Sequence, residues 1–136
     1  MRILVSIILL FLCSGDALTC TVDISSIKAK AIYGKVIAED GTPVPDALVQ
    51  IYRNLEEGEV ILAEIKADEN GRFEMQNFAA GKYMIRAKSN YFAVSIAIIK
   101  LKKSSSKVRN REIVFTLVPD SRCSGWVEMR KIGKTK

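Results

Sequence analysis

Apolar and polar residues alternate with a period of two along most of this chain, between short turn sequences. This period is typical of β-strands that bury one face. In residues 82–89, for example, Tyr83, Ile85 and Ala87 share one face, and Lys82, Arg86 and Lys88 lie on the other. The pattern predicts seven strands, over residues 29–37, 47–53, 60–67, 72–76, 82–89, 91–101 and 112–118. Their number and spacing predict an all-β sandwich, in which apolar residues on both sides of 91–101 indicate a strand covered on both faces.

Turn signals separate these predicted strands. Gly41 follows two acidic residues, and its freedom at positive φ suits a tight turn. Pro43 and Pro45 hold the following residues extended without donating to a hydrogen-bond ladder. Asn70-Gly71 lies between two extended runs and is among the strongest short signals for a hairpin. The turns therefore support the same all-β interpretation.

The N-terminal residues have the pattern of an export signal. Residues 3–13 form an apolar run of the length of a secretory h-region, shorter than the roughly 20 residues that span a bilayer. Gly15 and Ala17 are small residues two apart, as signal peptidase prefers before its cleavage site. We predict that residues 1–17 are a signal peptide and that the mature protein is secreted or periplasmic.

Export changes the interpretation of the cysteines. Cys20 precedes the first predicted strand and Cys123 follows the last, and an even pair in an oxidising compartment predicts a disulfide. It would close a loop of on the order of 100 residues, worth about 4 to 5 kcal/mol by chain entropy. The alternatives are free thiols, intermolecular pairing, lipidation at Cys13 or Cys20, or an uncleaved N-terminal anchor. Two cysteines without histidine provide too few ligands for structural zinc.

The remaining residues suffice for one domain of ordinary size. We predict an N-terminal lead-in over residues 18–27, a sandwich domain over residues 28–118 and a basic C-terminal tail over residues 119–136. The edge strands of a sandwich can pair with another chain, so the oligomeric state and any protein partner stay open.

Several sequence blocks occur in an order that resembles a known family. They are Gly34-x-Val36, Glu39-Asp40-Gly41-x-Pro43-Val44-x-x-Ala47-x-Val49, Asp68-x-Asn70-Gly71-x-Phe73 and Ala80-Gly81-x-Tyr83. Together they resemble the carboxypeptidase regulatory-like domain over about residues 27–117. The resemblance implies a prealbumin-like, immunoglobulin-like sandwich that acts as an accessory or interaction module without an active site. Asp46 and Asn90 stand where the family usually has glycine, and both residue types tolerate turn conformations.

The chain contains no histidine. This removes the commonest general base and the commonest metal ligand, including those of the intradiol dioxygenases and hydroxyisourate hydrolases of related architecture. We therefore predict a protein that is not an enzyme and has no cofactor or bound metal. The alternative is a small hydrolase with a carboxylate pair, Glu39/Asp40 or Asp68/Glu69, although turn chemistry already accounts for those acids.

Positive charge is concentrated toward the C-terminus. The net charge is +6, and from residue 100 onward eleven Lys or Arg residues accompany only three acidic ones. An anionic polysaccharide, a lipid surface or an acidic partner would be attracted to this region. The candidate contacts are Lys100, Lys102, Lys103, Lys107, Arg109 and Arg111. The competing interpretation is a solvated loop and tail, and export argues against nucleic acid as a ligand.

Trp126 is the one tryptophan, and it follows Gly125. A tryptophan beside a flexible glycine suits stacking on a sugar, whereas the structural interpretation is that the ring covers one open end of the sandwich. The sequence thus predicts a non-catalytic module that acts in binding or structural support in the cell envelope. The alternative is a carbohydrate or anionic-surface binder that uses the basic loop and Trp126.

Overall fold

The computed structural model describes residues 24–103, 111–120 and 123–133. The strands in these ranges are β1 (Ile24–Ala29), β2 (Ile32–Ala38), β3 (Leu48–Leu55), β4 (Gly58–Lys66), β5 (Arg72–Met75), β6 (Gly81–Lys88), β7 (Ser95–Leu101), β8 (Arg111–Leu117) and β9 (Trp126–Lys131). No helix long and apolar enough to cross a bilayer occurs in the described ranges. The predicted all-β class is confirmed.

The strands form two sheets. One has five strands in the order β1-β7-β6-β3-β4, and the other has four in the order β5-β2-β8-β9. β1 runs parallel to β7 and β2 runs parallel to β8, whereas the other pairs are antiparallel. Buried residues of both sheets belong to one apolar cluster. The two sheets therefore form a β-sandwich around a single core, as the alternating pattern predicts.

The core consists of alternate positions of the central strands. Ile51 in β3 and Ile85 in β6 are completely buried from the five-stranded side, and Phe115 in β8 is completely buried from the four-stranded side. The ring of Phe115 lies 5.8 Å from that of Phe73 in a tilted arrangement. Burial of such side chains stabilises the fold by roughly 1.5 to 3 kcal/mol each.

Gly34 marks a close approach of two backbones in the four-stranded sheet. A Cβ atom at this position would lie 1.8 Å from the carbonyl oxygen of Ile113 in β8. Only glycine therefore fits here, which gives a physical reason for the glycine in the block Gly34-x-Val36.

The turn residues act largely as the sequence predicts. Gly71 has φ +70°, and Asp46, which replaces a family glycine, has φ +59°. The Asp68 carboxylate accepts hydrogen bonds from the backbone N–H groups of Asn70 (2.9 Å) and Arg72 (2.8 Å). In the other turn with a replaced glycine, however, the positive φ (+67°) falls on Tyr91 and not on Asn90.

Some strand boundaries differ from the prediction. The predicted strand 29–37 corresponds to β2, and only its first residue, Ala29, belongs to β1. The rest of β1 lies mostly in the predicted N-terminal lead-in, so this strand was missed. The chain bends at Lys30 and Ala31 as it passes from the five-stranded to the four-stranded sheet. The strand predicted from residue 91 begins only at Ser95. It buries one face completely, while the other face is half-buried or exposed, so the predicted cover on both faces was wrong.

The region predicted as a basic tail contains a further strand. β9 pairs with β8 in antiparallel fashion, with Phe115 opposite Val127. Val127 and Met129 contribute to the core side, while Glu128 and Arg130 alternate with them. The sandwich therefore extends beyond residue 118, since the alternation that forms a strand is present beneath the high density of charge.

Candidate functional site

The outer face of the five-stranded sheet carries the most distinctive charged residues of the described chain. Alternation in β6 decides which residues they are, because Tyr83 and Ile85 point into the core and Lys82, Met84 and Arg86 therefore point outward. This face carries two charged regions, one around Arg86 and one around Lys82.

The first region, here the Arg86 cluster, consists of Arg86, Gln50, Tyr52, Glu59 and Glu64. Arg86 Nε donates to Gln50 Oε1 at 2.8 Å, and Arg86 Nη1 donates to both carboxylate oxygens of Glu59 at 2.9 and 3.1 Å. Gln50 Nε2 in turn donates to Glu64 Oε2 at 2.9 Å. These hydrogen bonds link three strands, and the charge of Arg86 is balanced.

Tyr52 is buried beneath this cluster. The guanidinium carbon of Arg86 lies 4.5 Å from the centroid of the Tyr52 ring, a distance typical of a cation–π contact. Burial raises the pKa of the Tyr52 hydroxyl above its ordinary value, Arg86 opposes that rise, and Glu59 adds to it. The arrangement holds a neutral phenol under a neutralised salt bridge, which suits a structural role.

The second region, here the lysine row, consists of Lys28, Lys100 and Lys82. They lie directly opposite one another on adjacent strands, Lys28 of β1 beside Lys100 of β7, and Lys100 beside Lys82 of β6. All three are exposed. Side chains opposite one another in a sheet have Cβ atoms about 5 Å apart, and like charges in such positions are destabilising.

An open groove lies beside the lysine row, lined by its members Lys82 and Lys100. The lining also includes Lys102 and Lys103, which follow β7, together with Ser26 and Gly81. In the described ranges, no carboxylate lies within 4.0 Å of an ammonium group of these five lysines, whereas Lys35 in the other sheet pairs with Glu112 at 3.1 Å. The groove therefore combines strong positive charge with room for a ligand.

The structure separates the residues that the sequence grouped together. Lys100, Lys102 and Lys103 lie at the groove, but Arg111 begins β8 in the other sheet, opposite Lys131. Lys107, Arg109 and Cys20 lie outside the described residues, so their predicted roles are not addressed; Cys123 lies in the bend before β9, and its pairing stays a prediction.

Trp126 lies on a different surface from the lysine row. Val127 faces the core, so Trp126 lies on the opposite, outer face of the four-stranded sheet, where it is 42% exposed. The two outer faces point away from each other across the sandwich. A single site formed by Trp126 and the lysine row is therefore excluded by the geometry.

Sequence analysis missed two members of the row, Lys28 and Lys82. Local alternation places each on the polar side of its own strand, but it does not reveal which strands are neighbours. The two residues are brought together by β7, which lies between β1 and β6. Only knowledge of the strand order would have identified the row.

The candidate catalytic acids belong to turns. Asp40 accepts hydrogen bonds from the Thr42 hydroxyl (2.5 Å) and the Thr42 N–H (3.0 Å), and these bonds lower the pKa of its carboxyl. Asp68 caps the Asn70-Gly71 turn as described above. Among the described residues there is also no group of three or more His, Cys, Asp or Glu side chains that could hold a metal ion.

Comparison with known protein families gives one match that spans most of the sandwich. The model of the family described as "BOS complex subunit NOMO1-like, second beta sandwich domain" matches residues 28–116. The chain belongs to this family. The range matched by this NOMO1-like family begins inside β1 and ends inside β8. It contains the whole lysine row, whereas Trp126 lies beyond it.

The solved structures similar to this NOMO1-like β-sandwich include sea bream transthyretin in complex with thyroxine. That structure has 13% sequence identity and a TM-score of 0.48, and the match covers 78% of this chain and 99% of the transthyretin chain. No curated protein matches the sequence significantly. The family model and the sheet order together confirm a β-sandwich.

Proposed function

We propose that the protein is a non-catalytic, exported β-sandwich module that binds an acidic polysaccharide of the cell envelope along the lysine row. The observation that carries this proposal is the direct alignment of Lys28, Lys100 and Lys82 without a carboxylate partner in the described residues. Three like charges in adjacent strands cost stability in the free protein. A polyanionic ligand would remove that cost.

The geometry of the row favours a linear polymer. Neighbouring strands are about 4.8 Å apart, so the backbone positions of the three lysines form a line that crosses the strands at regular intervals. Lys102 and Lys103 continue the positive charge along the groove. A chain with repeated carboxylate or sulfate groups can contact these lysines in succession, whereas a single small anion would neutralise only one or two of them.

Other features support a non-catalytic role in the envelope. Asp40 and Asp68 are engaged in turn hydrogen bonds, and the apolar residues 3–13 favour export. The resemblance to carboxypeptidase regulatory-like domains favours an accessory module, and export would favour a disulfide between Cys20 and Cys123.

A second candidate function is a role as a subunit module in a protein assembly. It is supported by the description of the matching family as a domain of a complex subunit. In that case the lysine row would contact an acidic surface of another protein.

The test is salt-dependent retention of the mature protein on immobilised heparin, with phosphatidylglycerol vesicles as a second probe. We expect wild type to be retained at low salt and the Lys82→Gln/Lys100→Gln variant to elute at much lower salt, because screening weakens such contacts. Lys88→Gln/Lys131→Gln removes the same charge outside the row and should elute close to wild type.

Three outcomes would contradict the proposal. One is no retention of wild type at low salt, and another is an equal loss of retention in both double variants, which would indicate an effect of net charge alone. The third is binding to the vesicles but not to heparin, which would identify a lipid surface as the ligand in place of a polysaccharide.

A further inference from the structure

The strand β4 forms an exposed edge of the five-stranded sheet. It is nine residues long, and in the described part of the chain it pairs only with β3. Val60, Ile61 and Leu62 are 43, 47 and 43% exposed, so a continuous apolar segment faces solvent at this edge. An edge strand presents backbone N–H and C=O groups that another strand can pair with.

A bulge at Leu62 sets the direction of the side chains in β4. Ala63 lies opposite Ile51 and Ile61 lies opposite Tyr52, so Leu62 is an extra residue with no partner in β3. Glu64, bonded to Gln50, and Glu59, bonded to Arg86, both lie on the outer face. Residues 59, 61, 64 and 66 therefore share the outer face, while residues 60, 63 and 65 share the core face.

We propose that two copies of this chain associate through antiparallel pairing of β4 with β4, with Glu59 of each copy opposite Lys66 of the other. This register also places Val60 opposite Ile65, and Ile61 opposite Glu64. Every one of these pairs joins residues of the same face, as direct neighbours in an antiparallel ladder must be. The two-fold axis passes between Leu62 and Ala63.

Other registers are less favourable for identifiable reasons. A shift by one residue would place outer-face residues opposite core-face residues. A shift by two in one direction would place Glu59 opposite Glu64 of the other copy, and like charges in that position are destabilising. The opposite shift would leave Glu59 outside the ladder. The charges that protect this edge from random pairing thus select one register of self-pairing.

The interface would be small, since it consists mainly of one strand pair. We therefore expect a weak dimer that forms as the protein concentration rises, and not a permanent one. The Glu59 side chain remains 46% exposed beside Arg86, so its carboxylate is accessible to Lys66 of a second copy.

The test is carbodiimide cross-linking, which joins a carboxylate and an amine that are in contact, followed by peptide mapping. Residues 59 and 66 are seven positions apart on an extended strand, about 23 Å, so an amide between them must join two chains. We expect this cross-link in an equal mixture of ¹⁴N- and ¹⁵N-labelled protein, as a peptide of mixed labelling. Its yield should rise with concentration, in parallel with dimer formation in analytical ultracentrifugation.

Matched variants make the test specific. Lys66→Arg keeps the charge and should keep the dimer but lose the cross-link, whereas Lys66→Glu should weaken the dimer about tenfold. Leu62→Lys would place two ammonium groups near the axis and should have a larger effect, preventing dimerisation. Ile132→Lys adds the same charge at a residue that is 44% exposed outside β4, and it should leave the dimer intact.

A protein that stays monomeric at millimolar concentration would overturn the proposal. So would a dimer that lacks the 59–66 cross-link, because its register would be different, and so would a dimer that Ile132→Lys weakens as much as Leu62→Lys does. Finally, the backbone N–H groups of β4 could be protected from hydrogen exchange only when a different protein is present. That result would also overturn the proposal, because it would indicate strand addition to that protein and not self-association.

Discussion

The Arg86 cluster and the lysine row lie on the same face of the same sheet, and β6 contributes one residue to each. In the Arg86 cluster, the guanidinium donates to both oxygens of the Glu59 carboxylate and to the amide oxygen of Gln50, and it lies over the Tyr52 ring. In the lysine row, each lysine has another lysine as its cross-strand neighbour. Paired charges of the first kind hold strands together, whereas like charges of the second kind destabilise the free protein and attract anions.

The largest expected effect comes from breaking the paired region. Arg86→Ala should lower the free energy of unfolding by about 2 kcal/mol, because Gln50 and Glu59 lose a charged hydrogen-bond partner and Tyr52 loses its cover. The measurement is urea denaturation. Lys82→Ala, on the same strand and the same face, is the matched control and should cost little or nothing. Equal losses for the two variants would show that the two regions do not differ as we argue.

A smaller effect of opposite sign is expected in the lysine row. Lys100→Thr removes the central charge and should raise the free energy of unfolding by roughly 0.2 to 1 kcal/mol. High salt should reduce the gain by screening the repulsion in wild type. Lys88→Thr is the control, because Lys88 lies opposite Leu48 and not opposite another lysine. A loss of stability in Lys100→Thr would contradict the view that the row is a cost to the free protein.

The smallest effect concerns the pH dependence of the paired region. The pKa of Tyr52 is raised in the folded state, so the unfolded chain loses this proton first as pH rises above about 10. Stability that is fully present below that pH should therefore be lost as pH rises toward the folded-state pKa. Tyr52→Phe should reduce this alkaline loss in a series of thermal unfolding curves, and an unchanged alkaline slope would show that Tyr52 does not contribute.

The sequence predicted the class of fold because its local signals agree. Alternation, the Asn70-Gly71 turn and the Pro43 and Pro45 bend all favour short strands, and the blocks that resemble a known family indicated the sandwich. β9 was missed because the net charge of residues 119–136 obscured the alternation of Val127 and Met129 with polar residues. The alternating pattern of a strand can thus be present in a segment whose high content of charged residues suggests a tail.

The candidate site was predicted only in part, for a different reason. Lys100, Lys102 and Lys103 could be selected from their density along the chain. Lys28 and Lys82 are 54 positions apart and become neighbours of Lys100 only through the order β1-β7-β6. Strand order depends on long-range packing, and no local pattern in this chain encodes it.

The position of β1 and β9 determines where this protein can be shortened. The two strands belong to different sheets but contact each other at one side of the sandwich, where β1 covers the edge of β7 and β9 covers the edge of β8. A fragment trimmed to residues 28–116, the range of the family match, would lose most of β1 and all of β9. The edges of β7 and β8 would then be exposed side by side, and we expect such a fragment to aggregate. The smallest fragment that keeps both of these edges covered should therefore run from residue 24 to residue 131.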